Sequence, residues 1–362
     1  MRLRCRALLL VLPLSLSLAQ DNDEEAKKKL LADPRYQYSQ AEFFVAEGNY
    51  AEAFRLYKLA ADQGLPEAQS GLGNLYRYGQ GVPQDDKEAV RLYRLAAEKA
   101  WPEAEFNMGV MYDNGRGVPQ DYKEAARWYK ISADRGVADA QFNLGIMYAN
   151  GKGVPQDYAE AARLYRQAAE TRQIADAQFN LAVLYDNGQG VPQDYKEAAH
   201  WYKLAADQGH AAAEFNLGVL YANGQGVAQD FKEAARLYKL AGAQGQTEAQ
   251  YNAGVMSAEG QGVDRDYKEA ARWYRMAAEQ GHRDAGFNLG GLYAAGRGVP
   301  PDLEQAYKWF SIAAAAGDQD SVAAIRQLAS KMTAEQVEKA KGLAAAWRPC
   351  KSKAECDARV RE

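Results

Sequence analysis

A 36-residue stretch at 103–138, EAEFNMGVMYDNGRGVPQDYKEAARWYKISADRGVA, recurs along most of this chain. Close copies occupy 139–175, 176–211, 212–247, 248–283 and 284–319, and a looser one occupies 67–102. Each is 36 residues long except 139–175, which carries one more. A fixed period of this size calls for stacked supersecondary units, in which every unit buries its apolar surface against its neighbours. The 362 residues therefore need no single compact core.

Each unit reads as two helices. In 103–113, Ala104, Met108 and Tyr112 share one face, while Phe106 and Val110 lie opposite. A helix that is apolar nearly all round belongs between neighbours. Asn114-Gly115-Arg116-Gly117-Val118-Pro119 then stops it, with glycines for positive φ and a proline that cannot continue the helix. Asp121 and Glu124 form an aspartate version of the capping box, repeated as Asp85/Glu88, Asp157/Glu160, Asp194/Glu197, Asp230/Glu233 and Asp266/Glu269, with Asp302/Gln305 as a variant. The second helix buries Ala125, Tyr129 and Ala133 and ends at Gly136.

Asn107-Met108-Gly109, Tyr112, Gly115-x-Gly117-Val118, Asp121, Ala125, Trp128-Tyr129, Ala133 and Gly136 together resemble the SEL-one-like repeat, a relative of the tetratricopeptide repeat with a longer turn between its helices. The resemblance covers 67–319. It implies an all-α, right-handed superhelical α/α solenoid of antiparallel helix pairs. Such scaffolds serve many partners, so the fold leaves the function open.

The flanks complete the expected organisation. Residues 1–19 carry Arg2, Arg4 and Arg6, an apolar run and Ser17-Leu18-Ala19, the pattern of a secretory signal cut near Ala19. The apolar run is too short for a membrane span. Residues 20–35 form a charged linker or frayed helix, and 36–66 resemble a tetratricopeptide-like N-terminal cap pair. Residues 320–347 supply C-terminal capping helices, with Thr333 and Gln336 opening the last. The tail, 348–362, is polar and is expected to be loosely ordered outside its cysteine loop. Two junctions depart from the pattern: Ala100 replaces a capping glycine, and 170–175 has neither the glycine nor the standard length. The superhelix is expected to be re-angled at the second.

Of 44 basic residues, three leave with the leader, so 41 face 48 acidic ones and the net charge falls from −4 to −7. That argues against nucleic acid as a partner. Cys5 also leaves, so Cys350 and Cys356 remain. In an oxidising compartment they read as one local disulfide; no histidine lies near enough to suggest a metal site.

Catalytic patterns are sparse. Some cysteine-rich members of the resembled family are described as penicillin-binding or β-lactamase proteins. No serine of the mature chain has lysine three residues on, and the paired cysteines within each repeat are missing. His200, His210 and His282 form no constellation, and the latter two read as structural residues at helix C-termini. The expectation is a non-enzyme without cofactor or metal.

Two surfaces suggest binding. Asn107, Asn143, Asn180, Asn216, Asn252 and Asn288 hold one position in six successive first helices, although asparagine is a mediocre helix former. They serve either as hydrogen bonds between repeats or as a ladder of amides holding an extended peptide, with Met111, Met147, Leu184 and Leu220 adding apolar contact. In tetratricopeptide-type domains, an asparagine at the corresponding position contacts a bound peptide. A basic stripe (Lys123/Arg127/Lys130, Lys196/His200/Lys203, Lys232/Arg236/Lys239, Lys268/Arg272/Arg275) is either a solvated face or a seat for an anionic polymer. The reading is therefore an exported bacterial scaffold, periplasmic or secreted, that binds a protein or peptide segment in the solenoid groove. An envelope polysaccharide-binding or assembly factor is the alternative, and a β-lactamase-type hydrolase stands behind both.

Overall fold

The computed structural model describes residues 23–361, so the expected leader, 1–19, lies outside the described residues. The described chain is an all-α solenoid of consecutive helix pairs and contains no strand. It divides into two compact units, one ending at Asp157 and one beginning at Tyr158. The first holds α1 (Asp23–Ala32), the pairs α2 (Pro34–Ala46)/α3 (Tyr50–Asp62), α4 (Pro66–Tyr78)/α5 (Asp86–Ala97) and α6 (Pro102–Asn114)/α7 (Tyr122–Asp134), then α8 (Ala138–Asn150). The second opens with α9 (Tyr158–Arg172). It continues with α10 (Ala175–Asn187)/α11 (Tyr195–Ala206), α12 (Ala211–Asn223)/α13 (Phe231–Ala243), α14 (Thr247–Glu259)/α15 (Tyr267–Glu279) and α16 (Arg283–Ala295)/α17 (Leu303–Ala315). Three last helices follow: α18 (Gln319–Ala329), α19 (Ala334–Ala346) and α20 (Lys353–Arg361). No described helix is long and apolar enough to cross a membrane. Within the span expected as a charged linker, 23–32 are helical as α1, and Asp33 caps α2 with Pro34 in its first turn.

The aspartate caps form as the repeat predicts. Oδ1 of Asp121 accepts from the backbone of Lys123 and Glu124 at 2.9 and 3.1 Å, and Asp85, Asp194, Asp230, Asp266 and Asp302 do the same for their helices. The reciprocal half of the expected box is absent. The backbone N–H of Asp121 already donates to the Tyr112 carbonyl at 3.0 Å, closing the turn, and Glu124 pairs with Arg127 at 3.0 Å. The same closure joins Asp194 to Tyr185 and Asp230 to Tyr221, each at 3.0 Å. The full reciprocal box does occur at Thr333 and Gln336, where α19 begins.

The glycine turn works on two levels. Gly115 ends α6 in the left-handed conformation, φ +65°. Gly117, φ +69°, lies so close to the Asp86 carbonyl at the start of α5 that a side chain has no room. Gly226 repeats this against Tyr195 and Gly262 against Phe231, so the second glycine is where one repeat's turn rests on the preceding repeat's second helix. At the two irregular junctions, Ala100 keeps the left-handed geometry at φ +59° and Gln173 at φ +52°, the latter after the 15-residue α9. The connection keeps its backbone shape there, at the cost of steric strain.

The turn generates a matched pair of tests. Gly209 (φ +81°) has open space around it, so Gly209→Ala carries only the left-handed penalty of about 1–2 kcal/mol. Gly226→Ala meets the Tyr195 carbonyl as well and should lose a further ~1–3 kcal/mol. Urea unfolding of the two variants should separate them; equal losses would remove the inter-repeat contact as the cause.

A second ladder was not anticipated from the sequence. The fourth residue of α6, α10, α12 and α14 is a buried Gln or Glu that reaches the end of its own repeat's second helix. Gln208 donates to Gln178 at 2.8 Å, Gln280 to Gln250 at 2.7 Å and Gln244 to Glu214 at 2.8 Å. Arg135 meets Glu105 at 3.0 Å. Burial raises the Glu105 and Glu214 carboxyls above their usual range; Arg135 partly offsets this at Glu105, and the Gln244 hydrogen bond and then the Arg236 charge partly offset it at Glu214. An acid raised on folding binds its proton more tightly in the folded state, so stability falls as pH climbs from the ordinary carboxylate range through the raised value. Glu214→Gln should therefore stabilise the protein at pH 7, with the gain shrinking as the pH falls to the ordinary carboxylate range near pH ~4. Urea midpoints at the two pH values test this; a gain unchanged by pH would point to packing instead.

The tail corrects the expectation of loose order. Residues 353–361 form α20, which packs on α15. Glu279 is the hub: its carbonyl accepts from the Cys350 N–H at 2.8 Å, and its carboxylate from Trp347 Nε1 and Arg359 Nη1, each at 3.0 Å. Val360 joins the apolar cluster that includes Trp273 and Met276. Cys350 and Cys356 are disulfide-bonded, with Cα atoms 5.5 Å apart.

Candidate interaction surface

Five of the six asparagines are positioned by the tyrosines of the second helices. Each first helix has a small residue that seats a ring: a Cβ at Gly218 would lie 2.9 Å from Tyr238, and Gly254 holds Tyr274 in the same way. A ring seated there projects its hydroxyl to the next repeat's first helix. Asn216 Nδ2 donates to Tyr202 Oη at 2.9 Å, and Tyr202 donates onward to Asp186 Oδ2 at 3.1 Å. Asn143 bonds Tyr129, Asn180 bonds Tyr165, Asn252 bonds Tyr238, and Asn288 reaches Tyr274 and Tyr251. Burial pushes these phenols up, Tyr165 and Tyr238 to about 12, and the amide bonds draw them partly back. Asn107 is wired differently: it accepts from Arg77 Nη1 at 3.3 Å, while Tyr93 donates to Asn74 at 2.7 Å.

These bonds do not use up the amides. Asn143, Asn180, Asn216, Asn252 and Asn288 are half-buried, and Asn107 is buried. Asn216 lines an open cleft of about 370 Å³ together with Val219, Gln193 and Gln225. The apolar neighbours expected four residues on are misplaced, because Met111, Met147, Leu184 and Leu220 are at most 4% exposed and belong to the core. The half-exposed apolar row lies three residues on instead, at Val110, Ile146, Val183, Val219 and Val255. A helical position advances 100° per residue, and here the extra step from three to four turns a side chain inward.

The other singled-out residues settle into the framework. His210 and His282 are N-caps of α12 and α16, not C-terminal residues as expected. Nδ1 accepts from Ala213 N at 3.1 Å and Ala285 N at 3.2 Å, Nε2 faces Asp176 and Glu248, and the rings stack on Phe179 and Tyr251. After the glycine the connection is so short that the next residue already caps the following helix. Along the basic stripe, Arg127 pairs with Glu124, Lys130 with Asp134, Lys203 with Asp207, Arg236 with Glu233 and Lys239 with Glu269.

The family model of the Sel1 repeat matches this chain at 32–65, 66–100, 102–137, 138–170, 175–210, 211–246, 247–282 and 284–318. This chain belongs to the Sel1 repeat family. The first matched Sel1 repeat falls on the pair expected to resemble a tetratricopeptide cap. Among solved structures, a Sel1 repeat protein from Oxalobacter formigenes is 33% identical over 87% of this chain and 92% of its own, with a TM-score of 0.61. A protective antigen of uropathogenic Escherichia coli strains displaying an SLR fold is 30% identical over 91% of this chain and 86% of its own, with a TM-score of 0.45. No curated protein matches the chain. Sel1 and tetratricopeptide-like solenoids generally serve as protein–protein interaction scaffolds, typically without catalysis, and the fold suggests protein partners.

The bridge between Sel1 repeats is measurable. A double-mutant cycle of Tyr202→Phe and Asn216→Ala should return a coupling of about 0.5–1.5 kcal/mol in urea unfolding. Strict additivity would mean that the bond contributes nothing between the repeats.

Proposed function

We propose that this Sel1 repeat protein is an exported bacterial scaffold that holds an extended segment of a partner protein along the first-helix face. The observation that carries the reading is Asn216. Its Nδ2 is tied to Tyr202, which fixes the rotamer, while its Oδ1 makes no hydrogen bond among the described residues and the side chain lines the cleft beside Val219. A fixed amide next to a half-exposed apolar side chain, with Gln193 and Gln225 in the same cleft, offers an extended backbone both acceptors and donors at little ordering cost. Structural bridge and binding group are thus compatible roles for one side chain.

Export to the periplasm or beyond is supported by the basic-then-apolar leader and fits the Cys350–Cys356 bridge, because disulfides persist in oxidising compartments. The basic stripe offers less for an anionic envelope polymer, since much of its charge is already met by neighbouring carboxylates. A hydrolase reading has less support, since no mature-chain serine has lysine three residues on.

The test places a photo-cross-linking residue at Val219 or at Arg236 in cells producing the full chain, followed by fractionation. Adducts should form from Val219 in the envelope fraction. In vitro, alanine at Asn143, Asn180 and Asn216 together should weaken binding of the captured partner by roughly tens- to hundreds-fold. Adducts from Arg236 alone would favour the stripe, unchanged affinity would remove the amide groove, and retention in the cytoplasm would remove export.

A further inference from the structure

One ammonium of the first unit shows what a first helix and the next repeat's turn can hold between them. Lys152 Nζ, in the glycine turn after α8, meets Asp113 Oδ1 of α6 at 2.9 Å and stands over the Tyr122 ring of α7, 4.1 Å from its centroid. A carboxylate together with an aromatic face suits a primary ammonium. All three residues occupy repeating positions, so the same set can be followed along the chain.

Two repeats on, within the second unit, the three positions hold Asp186, Tyr195 and Gln225. The acid and the ring are kept, and the ammonium is not. All three line the open cleft of about 370 Å³ that also contains Phe215, Asn216 and Val219. Asp186 is half-buried, its Oδ2 accepts from the Tyr202 hydroxyl at 3.1 Å, and it has no cationic partner among the described residues. Gln225 turns elsewhere, its Oε1 accepting from Asn223 Nδ2 at 3.2 Å. In other repeats the two positions change together. Where alanine replaces the aspartate, at Ala149 and Ala222, the turn residue is also glutamine, Gln189 and Gln261, and no charge is left over. At Asp186 the acid remains and its cation has gone.

We propose that this cleft binds the side chain of a lysine carried by the partner segment. The inference rests on the first-helix face as the partner's seat and adds the residue type that the seat selects. The ammonium meets the Asp186 carboxylate and the Tyr195 ring, as Lys152 meets Asp113 and Tyr122. Phe215 and Val219 cover the alkyl stem, and Asn216 Oδ1 accepts from the segment's backbone. The Tyr202 hydroxyl fixes the carboxylate beforehand, so little ordering is needed when the lysine arrives.

The full chain, with labelled valine methyl groups, is titrated with the extended peptide acetyl-Thr-Val-Lys-Val-Thr-amide and with its counterpart bearing Nε-acetyllysine. The readout is the Val219 methyl resonances, assigned by their loss in Val219→Ala. A saturable shift with the lysine peptide is expected, with the acetylated peptide binding roughly tenfold or more weakly. Asp186→Asn keeps an acceptor for Tyr202 and should weaken the lysine peptide by a similar factor at an unchanged melting temperature. Gln225→Lys supplies an internal ammonium, as in the first unit, and should abolish the preference for lysine. No saturable shift, equal binding of the two peptides, or an undiminished preference in Asp186→Asn or Gln225→Lys would overturn the proposal. Asn216→Ala separates this from the amide groove. Equal binding of both peptides that is lost in Asn216→Ala removes the lysine site and leaves the groove; a lysine preference with affinity unchanged in Asn216→Ala supports the site and removes the groove.

Discussion

Within each unit, the solenoid depends on how closely one repeat's turn approaches the helix before it. The second glycine of the turn, Gly117 in one copy and Gly226 in another, sits against the first carbonyls of the preceding second helix, where no side chain fits. That contact sets the distance between successive repeats, and the remaining inter-repeat packing follows from it. Because repeats couple only to neighbours, a loss there is felt locally first. The proline after the turn and the aspartate cap make the following helix start at one place, so the contact recurs in register.

With that spacing in place, polar groups inside the stack find partners instead of water. Small residues on the first helices admit the tyrosine rings, and the hydroxyls meet asparagines of the next repeat. Buried Gln and Glu side chains tie each first helix to the end of its own second helix. The buried Gln178, Gln250 and Glu214 side chains each find a partner, which helps keep the stack specific beside its apolar core.

The end of the array shows how a solenoid finishes. An exposed terminal repeat would leave apolar surface in water, so α19 packs on α17, and α20 turns back onto α15 through Glu279. The tail is short and charged and has little helical drive of its own, so tertiary contacts hold it.

Local rules made most of the fold legible in advance. The period, the aspartate caps, the positive-φ glycines and the apolar faces each follow from residues a few positions apart, and all reappear in the helix pairs. The asparagine position was visible as an anomaly in a helix, although its tyrosine partner was not. The misassigned details share a cause. Glu124 was expected to cap, but the Asp121 N–H was taken by Tyr112; Met111 was expected at the surface, but the neighbouring repeat covers it. The order of Glu279, Trp347 and Arg359 rests on bonds spanning 68 and 80 residues. The sequence by itself thus determined the repeat, its helices and their ends, because those depend on short-range sterics and hydrogen bonding. Only the tertiary structure decided which amides keep free capacity and where the tail lies, because exposure and pairing are properties of surfaces brought together from distant parts of the chain.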